Sequence, residues 1–231
     1  MANYQFAVPY FLKKEGGLSK AKTDSASKNP SPCNYNGNTG YHTNKGVTYS
    51  SFVGLSTKLK YTANCTNFLT MPNSIWSKIF KNGYWDFWKS DNIPYQSIAD
   101  FMTWTVWGSG GGSWTKKTGS IGFLYGFLKS KNIKASSKNN IKEELIILAE
   151  QNEQNLWLEL IKYRYDWYEK LNQPANLKGW QNGLDGYKKW GLKNYTFEEK
   201  KKFLNKKNIK VLTITLLFLG SIYYLHSKKY I

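Results

Sequence analysis

Histidine, cysteine, arginine and acidic residues are all scarce in this chain. Its 231 residues include 2 His, 2 Cys and 15 acidic residues against 33 basic ones, and Arg164 is the one arginine. With only His42, His226, Cys33 and Cys65 to draw on, no zinc set can be assembled, and no cofactor is expected. Neither cysteine has the neighbours of a nucleophile. A Cys33–Cys65 disulfide in an oxidising envelope and two buried thiols are equally compatible with the sequence. The run GSGGG, Gly108 to Gly112, lacks the Gly-Lys-Ser/Thr of a phosphate loop, so it reads as close backbone packing or a flexible cleft rim. The lone arginine and the absence of helix-turn-helix, zinc-ligand or RNA-binding motifs argue against specific nucleic-acid readout. Residues 1–14 lack a signal-peptide pattern, because Lys13-Lys14 follows the apolar part instead of preceding it.

What the chain does have is positive charge and aromatic surface. A formal net charge of +18 calls for a polyanionic neighbour such as nucleic acid, anionic lipid or an anionic cell-envelope polymer. Hydrophobic residues make up 41% of the chain, enough for one good core, or a core plus an appended segment. The 10 Trp and 17 Tyr suit sugar faces as well as a core.

The stretch from Glu15 to Thr48 carries the chemistry. MANYQFAVPYFLKK packs the end of a short helix, and Glu15-Gly16-Gly17 ends it. A loop or hairpin rich in turn residues follows, with Asp24 nine positions on and Gly40-Tyr41-His42-Thr43-Asn44-Lys45-Gly46-Val47-Thr48 at its close. Glycoside cleavage needs one carboxyl group to protonate the leaving oxygen and a second to position water or stabilise positive charge. Backed by Val8, Phe11 and Leu12, Glu15 is placed to be kept protonated by a partly apolar pocket. Asp24, in a polar loop, is expected to stay ionised.

Glu15-Gly16-Gly17, Asp24 and Thr43 to Gly46 together resemble the signature of glycoside hydrolase family 108, the bacterial and phage N-acetylmuramidases. The resemblance implies that Glu15 is the general acid, Asp24 the partner carboxylate and Thr43 the residue that positions water. Where that family has glycines soon after the aspartate, this chain carries the longer insert Ser25 to Tyr41.

Downstream, helices are expected over Thr48 to Leu59, Ile75 to Asn82, Pro94 to Trp107 and Trp114 to Leu128. Asn140 is expected to cap a further helix, with Gln151 to Lys170 the clearest long one. Tyr84-Trp85 followed by Asp91-Asn92-Ile93-Pro94 is similar to a family segment. In that resemblance the rings of Tyr84, Trp85, Trp107 and Trp180 line the glycan groove, but for Tyr84 and Trp85 the aromatic stripe at helical spacing puts core ahead of groove. Arg164 to Tyr168 and Leu177 to Asn182 resemble the family's peptidoglycan-associated segment, although the arginine expected two positions after Gln181 is Gly183 here. Val211 to Leu225 is an uncharged run of fifteen residues flanked by lysines, shorter as a helix than the ~30 Å hydrocarbon core of a bilayer. It reads as a C-terminal membrane anchor, with a buried core helix as the alternative.

The expectation is thus a mainly α, lysozyme-like helical domain with a small loop or β-hairpin at the active site, plus a C-terminal hydrophobic helix. Residues 1–92 would form the catalytic segment, 93–196 a helical peptidoglycan-associated segment packed on it, and 197–231 a basic stem and transmembrane helix. The partners expected are peptidoglycan glycan strands and, through the last helix, membrane lipid, at the bacterial envelope. The competing reading is a peptidoglycan-binding or virion structural protein that has kept the fold without the chemistry.

Overall fold

Helical spacing of apolar residues is realised as eight α-helices among the residues that the computed structural model describes, 1–22 and 24–197. Helix α1 (Tyr4–Lys14) is capped by the Asn3 side chain, which accepts from the Gln5 amide. It delivers Glu15 at its C-cap. Strands β1 (Leu18–Ser19), β2 (Thr43–Asn44) and β3 (Val47–Thr48) then form an antiparallel sheet in the order β1-β2-β3, with Ser19 opposite Thr43 and Thr43 opposite Thr48. Thr48 caps α2 (Tyr49–Lys58) by accepting from the Ser51 amide. Helices α3 (Cys65–Leu69) and α4 (Asn73–Phe80) follow, and α4 runs on into a π-helical turn, Lys81–Trp85.

Helix α5 (Gln96–Ser109) buries Ile98, Phe101, Met102, Thr105 and Val106 among others. Helices α6 (Gly119–Ser130), α7 (Lys138–Lys170) and α8 (Pro174–Asn194) pack around it. Together Met1–Phe197 form one compact unit. The glycine run after α5 is close backbone packing: Gly112 and Gly119 both have positive φ, and a Cβ on either would strike backbone of the other's segment. The Ser120 amide donates to the Gly110 carbonyl across that crossing.

Several boundaries differ from the sequence reading. The cap before the 138–150 segment is Ser137, which accepts from the Asn140 amide; Asn140 itself lies inside α7. That segment and Gln151–Lys170 join end to end in α7, broken by extended backbone at Asn152. The Asn152 side chain caps the second half by accepting from the Asn155 amide. The bounds of helix α8 were hidden in the sequence by Gly179, Gly183, Gly186 and Gly191, since glycine disfavours helix interiors. Gly191 shows what is gained: a Cβ there would overlap the Trp157 ring, so α7 and α8 could not approach as they do. No helix among the described residues is long and apolar enough to cross a membrane, and the expected anchor, Val211 to Leu225, lies outside those residues.

The C-terminal end of α8 is tied to α5 by a buried polar chain. Asp100, fully buried, accepts from the Tyr195 hydroxyl at 2.9 Å and from Gln96 Nε2 at 2.9 Å. The Tyr195 and Tyr187 hydroxyls are 3.0 Å apart. Burial pushes the Asp100 carboxyl up to about 8, against these two hydrogen bonds, which favours the uncharged acid in the interior.

Cys33 and Cys65 are joined as a disulfide, their Cα atoms 5.2 Å apart. The bond pins the insert after Asp24 to the start of α3, across a sequence separation of 32 residues. Closing a loop of that size removes about 3–4 kcal/mol of unfolded-state entropy. Replacing both cysteines by serine is expected to lower unfolding stability by about that amount in urea titration. A thiol reductant should lower the wild type to the same level and leave the double variant unchanged.

Candidate active site

Glu15 leaves the C-terminal end of α1 with its side chain half-buried between α5 and the β2–β3 hairpin. Trp107 Nε1 donates to Glu15 Oε1 at 2.8 Å. The other oxygen, Oε2, lies against Gly46, where a Cβ would overlap the carboxylate and come within 2.7 Å of the Trp107 ring. Burial raises the carboxyl to about 7, and the Trp107 hydrogen bond acts in the opposite direction. A group so placed holds its proton near neutral pH and can release it to a leaving oxygen. It opens on a pocket of about 190 Å³ lined by Tyr10, Phe11, Lys14, Trp104, Trp107 and Gly183.

The hairpin that sets Gly46 beside the acid follows from its sequence. Lys45 and Gly46 both have positive φ, the requirement of a two-residue type I′ turn between β2 and β3. Asn44 Nδ2 donates to the Phe68 and Leu69 carbonyls, and Lys45 Nζ donates to the Met71 carbonyl and Asn73 Oδ1. Trp76 Nε1 donates to the Lys45 carbonyl at 2.8 Å. The Lys45 amide donates to the Gly17 carbonyl, binding the hairpin to the loop just after Glu15.

Asp24 sits in the following loop as the cap of a short 3-10 turn, Ser25–Lys28, accepting from the Ala26 amide at 2.9 Å. Its other oxygen, Oδ2, faces the buried His42 Nδ1 at 3.8 Å, while His42 Nε2 donates to the Ala21 carbonyl. Among the described residues no hydrogen bond or ion pair joins Asp24 to Glu15. Thr43, buried on β2, is in register with Ser19 and Thr48.

Residues 8–110 match the family described as Glycosyl hydrolase 108. That segment, somewhat under half of the chain, is similar to glycosyl hydrolase family 108. At the family level the activity is that of a peptidoglycan hydrolase. No curated protein matches the chain. Among solved structures, that of Brucella abortus SagA superposes with a TM-score of 0.53 over 83% of this chain and 94% of that one, at 16% identity, a likeness of fold.

The rings considered for the glycan groove divide into three groups. Tyr84 and Trp107 adjoin the acid, their ring centroids 4.5 Å apart, and Trp107 also packs on Phe11, Trp76 and Phe80. Trp85, a groove candidate by the resemblance and a core ring by its spacing, is fully buried and donates through Nε1 to Asp91, so it packs the core and does not line the groove. Trp180 stacks on Tyr168 of α7, ring centroids 5.3 Å apart, and is not among the residues lining the Glu15 pocket. Residues that sequence reasoning did not connect with Glu15 are Tyr10, Lys14, Trp104 and Gly183, which only the packing of α1, α5 and α8 brings together. The signal for Gly183 was present as the missing arginine.

Gly46→Ala is expected to displace the Glu15 carboxyl, because the added methyl occupies its place and φ at Gly46 is +74°. A displacement of ~1 Å costs on the order of 100-fold in rate. A kcat lowered to that extent, with helical content close to wild type and a thermal midpoint lowered by about 2–8 °C by the strain at positive φ, is the expected result.

Proposed function

We propose that this chain is an N-acetylmuramidase that cleaves the β-1,4 bond between N-acetylmuramic acid and N-acetylglucosamine in peptidoglycan. One observation carries the reading: a half-buried carboxyl at the end of α1, fixed by Trp107 and raised to about 7, borders an aromatic-walled pocket. Glu15 protonates the glycosidic oxygen as the bond to the anomeric carbon breaks. Asp24 steers water or stabilises the positive charge that develops on the sugar, and Thr43 helps to hold that water. Tyr84 and Trp107 supply ring surface beside the acid. Residues 1–92 carry the acid, and 93–196 close the far wall and grip the glycan. The excess of lysine draws the enzyme to the anionic polymers of the cell envelope, a setting that suits phage lysis or entry as well as bacterial wall remodelling.

A second reading has one observation in its favour. Asp24 spends one oxygen on the Ala26 amide and turns the other to His42, as a structural cap would. On that reading the protein binds peptidoglycan without cutting it.

The two readings part on release of reducing ends from purified peptidoglycan by the full chain. Glu15→Gln is expected to lower the rate by at least ~100-fold, the scale of general acid catalysis. Because the acid works protonated, wild-type activity should fall as pH rises through about 7. Equal activity in wild type and variant would remove Glu15 from the mechanism. Sedimentation on peptidoglycan with no activity in either protein would establish the binding reading.

A further inference from the structure

A buried ring joins the loop of Asp24 to the strand of Thr43. His42, the residue just before β2, is 1% exposed. Its backbone is held on both sides: the amide donates to the Ser19 carbonyl at 3.0 Å, and the carbonyl accepts from the Tyr49 amide at 2.9 Å. The ring therefore stands on the sheet and reaches across to the loop. Its Nε2 lies 3.1 Å from the Ala21 carbonyl, the same oxygen that accepts from the Asp24 amide at 3.1 Å. A carbonyl only accepts, so Nε2 carries a proton. Nδ1 is buried, has no hydrogen-bond partner among the described residues, and stands 3.8 Å from Asp24 Oδ2. The Ala26 amide meanwhile holds the other carboxylate oxygen, Oδ1, with Oδ2 turned to the ring.

That arrangement calls for a second proton on the ring. With Nε2 alone protonated, Nδ1 turns a lone pair to a carboxylate oxygen, and two acceptors face each other with no donor between them. With both nitrogens protonated, each N–H has an acceptor, the Ala21 carbonyl for one and the Asp24 carboxylate for the other. The buried positive charge then has its counter-charge beside it. The contact becomes a charge-assisted hydrogen bond, stronger than a neutral one.

We propose that His42 is a positioning residue for Asp24: its doubly protonated ring hangs from the Ala21 carbonyl and clamps the Asp24 carboxylate to the strand that carries Thr43. The consequence for catalysis rests on the muramidase reading, in which Asp24 is the partner carboxylate. Glu15 is set by Gly46 at the turn of the β2–β3 hairpin, and Thr43 lies on β2 itself. Through His42, Asp24 is tied to that same hairpin, although the insert Ser25 to Tyr41 separates the two in sequence. His42 is buried and acts through Asp24, not on the sugar.

Two substitutions in the full chain separate the two ring nitrogens. The amide nitrogen of His42→Asn falls near the place of Nδ1, and that of His42→Gln near the place of Nε2. His42→Gln is expected to lower kcat on purified peptidoglycan by about 10–100-fold with KM little changed, since Asp24 loses its donor. His42→Asn keeps a donor toward Asp24 and gives up the Ala21 bond, and is expected to retain most of the rate. Equal losses in the two, or a greater loss in His42→Asn, would assign His42 to loop packing alone and overturn the proposal. A second measurement reads the ring directly, by nitrogen NMR of the wild-type chain below pH 7, where Glu15 holds its proton. Both His42 nitrogens are expected to bear protons there. In Asp24→Asn the Nδ1 proton is expected to be absent, because the new side-chain amide donates to Nδ1 instead. A wild-type ring protonated on Nε2 alone, or a doubly protonated ring unchanged in Asp24→Asn, would also overturn it. This spectrum needs neither turnover nor a substituted histidine. A wild type that shows the clamp yet releases no reducing ends would sink the muramidase reading and leave the clamp standing.

Discussion

Everything in the site depends on one carboxyl group held between an indole and a glycine. Trp107 fixes one oxygen of Glu15 by a hydrogen bond, and Gly46 leaves the space that the other oxygen fills. Burial makes ionisation costly there, while the indole bond offsets part of that cost, and the balance leaves the group titrating near neutrality. A carboxyl in water would have lost its proton well below that pH.

The scaffold serves that placement. The hairpin carrying Gly46 is held by Asn44 and Lys45 on the α3–α4 connection and by Trp76 on the Lys45 carbonyl, so Gly46 cannot drift from the acid without breaking several bonds. Trp107 is held by α5, whose buried face packs on α6 and α7 and whose Asp100 is bonded to Tyr195 just beyond α8. The Cys33–Cys65 bond restrains the long insert that separates Asp24 from the hairpin. The similarity to family 108 spans residues 8–110, yet Gly183, far outside that span, completes the pocket at the acid.

Much of the architecture was legible in the sequence because it is written in local patterns. Glu-Gly-Gly after an apolar helix and the apolar spacing of α4 and α5 are short-range signals, and each appears where its residues placed it; the turn-rich stretch after Gly17 read as a loop or hairpin, and its end forms the β2–β3 hairpin. Contacts between distant segments were not legible. Trp107 reads as a groove residue until α1 and α5 pack and its indole meets Glu15, 92 positions away. Trp85 carries the same aromatic signal as Tyr84, its neighbour in the chain, yet one is buried and the other adjoins the acid. Within the segment expected to be helical, the bounds of α8 are not legible because its glycines lower helix propensity, and only packing shows why two of them are there: Gly186 against Tyr10 and Lys14, Gly191 against Trp157.

The most direct test of this account is a carbon-detected NMR titration of the Glu15 carboxyl in the full chain. The account predicts a midpoint near 7, raised further in Trp107→Phe, where the stabilising hydrogen bond to the ionised form is gone. A midpoint in the ordinary range of an exposed glutamate, or one indifferent to Trp107→Phe, would contradict it.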